Sequence, residues 1–366
     1  MDSWADSGRD SKHYKAVCSS FLMACLLAFT LQVFFFSPIS PEPLQLPSPP
    51  SVPTNSRLQR VIKLGEGLLK KPEDLCINKD GIIYTASRDG WIRRLLKNGS
   101  WEDWRKIESG SLLGMTLTEG GSLIVCDAIK GLLEVGEDGV AVLASHVDDG
   151  TKISFADDVI EAADGSLYFS FASTKFGFHN WHLDLLEAKP HGQLLKYDPS
   201  LNQTSVVLDG LYFANGVAIS ADQQYLVVCE TFRFRCLKYW LVGKDKGKTE
   251  IFVDNLPGAP DNINLAPDGS FWIALLQIVP RWSQFVHTSR AMKHLLATFP
   301  TLFEQVKGNQ GARVVNVAPD GKIIRSFDDP SGEVMSFVTS AVEFEDHLYL
   351  GSLKCDFIGK LSLNDA

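Results

Sequence analysis

A recurring turn constrains this chain more than any other feature. Six times, a polar turn carrying Asp or Gly runs directly into an alternating apolar stretch of strand length. Asn78-Lys79-Asp80-Gly81 precedes IIYTA, Glu119-Gly120-Gly121 precedes SLIVCD, and Ala163-Asp164-Gly165 precedes SLYFSFAS. Ala221-Asp222-Gln223 then precedes QYLVVCET, Pro267-Asp268-Gly269 precedes SFWIAL, and Glu345-Asp346 precedes HLYLGSL. The turns recur about every 40 to 60 residues, with a longer gap before the last, where Pro319-Asp320-Gly321 opens an additional strand pair. A unit of about four short strands cannot bury both faces of its own small sheet, so neighbouring units must stack on it. The pattern predicts an all-β fold, a six-bladed β-propeller. A two-sheet sandwich is the alternative, but more than 300 residues of hairpins overfill it.

Two stretches break the strand period. Residues 178–189 and 281–305 carry helix-type spacing, seen in Met292, Leu295, Leu296, Phe299 and Leu302. They predict helical insertions, either ordinary surface helices or a cap over the end of the propeller where ligands enter.

Ahead of the repeats, residues 17–36 read VCSSFLMACLLAFTLQVFFF, long enough to cross a bilayer as one helix. Arg9, Lys12 and Lys15 precede it and no Lys or Arg follows until Arg57, which keeps the N-terminus cytosolic. The expected organisation is a cytosolic arm at 1–16, a transmembrane signal anchor at 17–36, a Pro-rich stem at 37–56 and the propeller at 57–366. The propeller is then lumenal, a single-pass type II arrangement in the endoplasmic reticulum or another secretory membrane. A cleaved signal peptide is the alternative, although the apolar run is longer than a usual signal core and has few small residues near its end. Seven prolines within residues 37–53 predict a stiff, extended spacer that holds the domain off the membrane. The triplets Asn98-Gly99-Ser100 and Asn202-Gln203-Thr204 are glycosylation acceptors under this topology. Of seven cysteines, Cys18 and Cys25 lie in the apolar span. The other five lack zinc-like spacing, and Cys126, Cys229 and Cys236 read as buried thiols. With Lys plus Arg at 35 against 44 Asp plus Glu, and no basic run, the chain is not built for nucleic acid.

No Gly-x-Ser-x-Gly elbow, His-Glu-x-x-His pair or Gly-x-Gly-x-x-Gly turn is present. An oxygen-bearing side chain recurs instead. Glu73 stands eight residues before Gly81, Asp157 eight before Gly165, Asn215 eight before Gln223, and Asp261 eight before Gly269. Turn chemistry alone has no reason to hold that offset. Equal offsets place these side chains at equivalent points of their blades, converging on the axis of a closed propeller. Oxygen ligands without sulfur or imidazole suit a hard divalent cation, Ca²⁺ before Mg²⁺. His179, His182 and His191 in the first insertion, and His287 and His294 in the second, either line the funnel mouth as acid or base or stand in solvent.

At these residues the chain resembles the strictosidine synthase-like family of six-bladed propellers, which includes plant strictosidine synthase-like and adipocyte plasma membrane-associated proteins. The resemblance spans roughly residues 60–362 and rests on PEDLCINKDGIIYTASRDG, DAIKGLL, FANGVAIS through RCLKYWL, LPGAPDNINLAPDGSFWIAL and HLYLGSLKCDFIGKLSL. It implies a small-molecule substrate, and by analogy with plant relatives it adds the vacuole as an alternative location. Paraoxonases and gluconolactonase-like hydrolases share the propeller more distantly and hold a central divalent metal with Glu, Asn and Asp. Their positions correspond to Glu73, Asp157, Asn215 and Asp261, with Asn262 adjacent. Asp157 departs from the usual Asn. Leu113-Gly114-Met115 replaces the paraoxonase catalytic His, and Val338 to Glu343 places Ser340 or Ala341 where strictosidine synthase needs its Glu, unless a gap brings in Glu343.

Three functions remain open. One is metal-dependent hydrolysis of esters or lactones with Asp261 the preferred base, since Asn262 beside it can retain the cation. The others are carbon–nitrogen condensation of the strictosidine type and a non-catalytic recognition or scaffold propeller.

Overall fold

Each repeated turn is a tight hairpin because its last residue takes left-handed backbone. Gly81, Gly165 and Gly269 have φ of +80°, +80° and +84°, and Gln223 adopts +58° in the equivalent place. Glycine meets that requirement without a Cβ penalty, and at Gln223, as at the glycines, the N–H donates to the carbonyl three residues earlier, here that of Ser220. The chain leaves each turn into the second strand of a blade, which lies in the middle of its sheet and is buried on both faces.

The computed structural model describes residues 7–45, 52–276, 283–306 and 311–364. The tip of the arm, residues 46–51 of the stem, residues 277–282 and 307–310, and the last two residues lie outside that set. The described strands form six four-stranded antiparallel sheets. Five blades run through the sequence in order. The sixth joins Val338–Phe344, His347–Ser352 and Ile358–Ser362 to Ile62–Leu64 from the other end of the chain. This strand exchange closes the ring and leaves no blade at a free end. The six-bladed propeller is thereby established. Apolar side chains fill the spaces between blades, and Trp272, Phe169, Phe171 and Phe271 are the largest of those fully buried.

Five helices stand outside the sheets among the described residues. Helix α1 (Ser7–Phe35) is the one long and apolar enough to cross a membrane. From His13 to Phe36 its exposed face is interrupted only at Val33. Helix α2 (Trp181–Glu187) belongs to the first insertion, and α3 (Ser283–Thr288), α4 (Arg290–Thr298) and α5 (Pro300–Val306) belong to the second. The two insertions pack on one another, with Trp181 meeting Phe303 at 5.8 Å between ring centroids. Together they cover one end of the propeller.

The stem departs from the expected free spacer. Ile39 and Leu44 are buried in the same apolar cluster as Leu185 and Leu296. The backbone N–H of Ser40 donates to Glu187 Oε1 at 2.9 Å, and that of Leu44 donates to the His287 carbonyl at 2.8 Å. Prolines keep this segment extended, but the apolar residues between them dock between the insertions, so residues 37–45 strap the cover down instead of standing away from it.

Candidate functional site at the propeller axis

The site begins with a local fault repeated in the innermost strands. In a regular strand, successive side chains alternate between faces. In blade three, Ala156 pairs with Phe171 and Val159 with Phe169, so Asp157 and Asp158 together oppose Ser170 alone. The same bulge sets Leu113 and Gly114, Asn215 and Gly216, and Asp261 and Asn262 each against a single partner residue. Glu73 and Asp74 occupy the matching place just before the first inner strand, Leu75–Ile77. A bulge twists the strand and re-aims the two residues it contains.

The two positions of each pair do different work. The first members, Glu73, Leu113, Asp157, Asn215 and Asp261, all line one cavity of about 820 Å³ at the axis. The second members with polar side chains tie blades together, Asp74 and Asp158 to the next blade and Asn262 across the axis. Asp74 Oδ2 accepts from the Met115 N–H at 2.8 Å, and Asp158 Oδ2 accepts from the Val217 N–H at 2.7 Å. Asn262 Nδ2 donates to Glu73 Oε1 at 3.0 Å across 189 residues of chain. The structure thus gathers the four offset residues and their neighbour Asn262.

Five buried carboxyl groups, Glu73, Asp74, Asp157, Asp158 and Asp261, therefore surround the axis. Burial pushes Glu73 well above the usual carboxylate range, and the nearby Asp261, Asp74 and Asp157 charges push it further. Burial raises Asp157 to about 7 and Asp74 to about 6. Asp261 also rises well above its usual value, through burial first and then the Asp157 charge, while Asn215 and Arg88 oppose the rise. Ser340 offsets part of the Asp74 shift, yet neither Asp74 Oδ1 nor Ser340 Oγ has a partner in hydrogen-bond geometry.

Arg88, which its position in the sequence does not single out, is the cation whose charge opposes the rise at Glu73, Asp157 and Asp261. Its guanidinium donates to the Gly110 and Leu112 carbonyls at 3.2 and 3.4 Å and lies over the Phe178 ring at 4.8 Å. One guanidinium does not balance five carboxyls. Glu73 Oε2, Asn215 Oδ1 and Asn262 Oδ1 are buried acceptors without hydrogen-bond partners. Unsatisfied oxygens among mutually repelling carboxylates are the chemistry that a hard divalent cation completes, so the residues fit one. Among the described residues no three His, Cys, Asp or Glu side chains form a metal-binding group by themselves, so a cation here also needs the two amides.

Above the acids, the cavity wall is aromatic: Phe155, Phe178, Trp181, Phe213, Phe232 and Phe337. His179 lines the cavity, whereas His287 is buried in the cover and pushed down to about 3 by burial. His191 is turned toward Asp184, 3.0 Å away, and serves the packing of α2. Glu343 lies outside the cavity lining and accepts from Trp272 Nε1 at 2.6 Å, so no gap brings it into the site. Cys126, Cys229, Cys236 and Cys355 are buried free thiols. Asn98 and Asn202 are both exposed.

Fold and site together define a six-bladed propeller with an acid-lined axial cavity beneath a helical cover. The family model for strictosidine synthase matches residues 157–244, and the model for the strictosidine synthase-like N-terminal region matches residues 53–95. Strictosidine synthase-like 4 of Arabidopsis thaliana is 37% identical over 94% of this chain and 94% of its own. The adipocyte plasma membrane-associated protein of Bos taurus is 31% identical over 98% of this chain and 92% of its own. The chain belongs to the strictosidine synthase-like family. Solved structures share its fold at low identity. A gluconolactonase of Xanthomonas campestris has a TM-score of 0.60 at 14% identity, covering 89% of this chain and 98% of its own. The calcium-binding protein regucalcin of Agrobacterium tumefaciens has a TM-score of 0.53 at 13% identity, covering 80% and 90%.

Proposed function

We propose that this protein is a membrane-anchored hydrolase of small esters or lactones that works with a divalent cation, Ca²⁺ for preference. The observation that carries the reading is the convergence of Glu73, Asp157, Asn215 and Asp261 on one cavity while buried oxygens there lack partners. Glu73, Asp157, Asn215, Asp261 and Asn262 would hold the cation, which supplies polarisation of the substrate carbonyl when bound. Asp261 is the base. Burial raises its proton affinity, as general-base catalysis near neutral pH requires, and the Asn215 side chain orients it. Water attacks the carbonyl carbon as Asp261 takes its proton; the acyl C–O bond then breaks and Asp261 returns the proton to the leaving alkoxide. The aromatic wall holds the apolar part of the substrate and excludes bulk water.

The condensing reading lacks its acid or base at the expected place in the last blade, where Ser340 is buried and Glu343 is bonded to Trp272. The anchor at residues 17–36 supports a type II topology with the propeller in the lumen of the endoplasmic reticulum or a later secretory compartment, the vacuole being the alternative. Exposed Asn98 and Asn202 are the glycan sites in that arrangement.

The test is hydrolysis of aryl acetates and of five- and six-membered lactones by the full-length protein, before and after chelation and after Ca²⁺ is restored. Turnover is expected to vanish on chelation and to fall by about 10²- to 10⁴-fold in Asp261→Asn. Hydrolysis unchanged in that variant rejects the assignment. If neither hydrolysis nor cation binding is found in the wild type, the recognition reading replaces it.

A further inference from the structure

The helical cover carries features that the axial chemistry does not use. Phe29 of α1 stacks on Phe299 beside α4 with ring centroids 5.9 Å apart, and Phe34 meets His294 at 5.5 Å. The apolar run ends at Phe36. With a helical rise of 1.5 Å per residue, Phe29 lies about 10 Å inside that end. A cover that touches the span at this depth cannot stand clear of the membrane. Its surface chemistry agrees. Phe285 and Leu302 are exposed, at 63% and 37%. Arg290 is exposed, Lys293 is buried with its Nζ on the Glu42 carbonyl, and Glu304 is the one acid in the sequence of α3 to α5, in a chain of net charge −9. Exposed apolar side chains on short helices that carry few acids suit a bilayer interface.

We infer that the cover formed by α3, α4 and α5 is seated in the lumenal leaflet of the bilayer that α1 spans, which puts the mouth of the aromatic cavity at the lipid surface. This rests on the membrane anchoring proposed above. Its occupant is the lipid bilayer, and no second protein is required. Ligands then arrive from the membrane surface, and the site selects amphiphiles that partition there over freely soluble sugars or acids. The strap at residues 37–45 fits the same geometry, since it leads from the end of α1 to contacts with Glu187 and His287 and holds the cover at the membrane.

Full-length protein in phosphatidylcholine vesicles that include an acyl-chain diazirine phosphatidylcholine tests this by photocrosslinking, with adducts mapped by mass spectrometry. Adducts are expected on peptides from 283–303 as well as on α1. In the double variant Phe285→Glu with Leu302→Glu, the yield on the cover should fall about tenfold while the yield on α1 stays unchanged. Phe285→Ser with Leu302→Ser provides the same reading if the charged pair does not fold. Adducts confined to α1 overturn the seated cover and leave the anchor standing. Adducts on neither overturn both, and cover adducts that persist at full yield in the folded variants also reject the inference.

Discussion

Gly216 holds the second bulge position of blade four, where an added Cβ would lie 2.4 Å from the Asp261 carbonyl oxygen and 2.6 Å from the Ile263 nitrogen. Both are backbone atoms of the next blade and cannot withdraw as a flexible side chain can. Gly216→Ala is therefore expected to lower the unfolding free energy by about 2–3 kcal/mol. Gly136→Ala, where nothing lies within 4 Å of the new atom, should change it by less than about 1 kcal/mol. Denaturant titration of both variants checks this, and equal losses would show that blade spacing is not held at Gly216. Glu73 invites a different test, because Oε1 already accepts from Asn262 while Oε2 has no partner. Glu73→Gln should retain the fold and lose most of the rise in thermal midpoint that Ca²⁺ produces in the wild type, since ligand linkage is what the carboxylate adds. A full Ca²⁺ response in the variant would remove Glu73 from the cation site. Four of the five first members of the bulge pairs, all but Leu113, were legible in the sequence through their eight-residue offset. Asp74 and Asp158 were not, because their bonds to Met115 and Val217 belong to the neighbouring blade. Arg88 has no counterpart at the offset and reaches the site from a loop.

At the scale of elements, the outer strand of blade five, Ile323–Asp329, ends on a carboxylate that ties three segments together. Asp329 Oδ2 accepts from the Val334 and Met335 N–H groups at 2.8 and 3.0 Å. Its Oδ1 accepts from Gln59 Nε2, Ser331 Oγ and the Gly332 N–H, each at 3.0 Å. Burial pushes the Asp329 carboxyl up, but these donors outweigh it and hold the group at about 2. A folded value below the unfolded one means that the carboxylate stabilises the fold above about pH 4, and that this contribution is lost as pH falls from there through about 2. The loss is about 2 kcal/mol. Between pH 5 and pH 2, wild-type stability should fall further than that of Asp329→Asn by about this amount in urea titrations. Parallel pH profiles would exclude the role. The turn repeat announced the strands themselves, because hairpin chemistry is local. Helical spacing announced the two insertions, but their joint role as a cover was not legible, since it depends on Trp181 meeting Phe303 from a distant segment.

For the whole molecule, the distribution of charge around the apolar span sets the topology to be tested. Protease added to intact microsomes should remove only the arm before the span and leave the chain from about residue 37 onward protected. An endoglycosidase shift that disappears when both Asn98 and Asn202 are replaced should accompany it. Digestion of the propeller from the cytosolic side would refute the lumenal placement. Six turns followed by strands were enough to determine the propeller from the sequence, because no single four-stranded sheet in that pattern can bury its own faces. Equal offsets also determined which side chains share the axis, since equivalent positions of a ring converge. Tertiary structure alone decided that Ile62–Leu64 completes the last blade, that Glu343 turns away from the cavity, and that residues 37–45 strap the cover instead of spacing it from the membrane. Each of these depends on contacts between residues far apart in the chain, where the geometry of ring closure determines which side chains meet and local spacing carries no record of the partner.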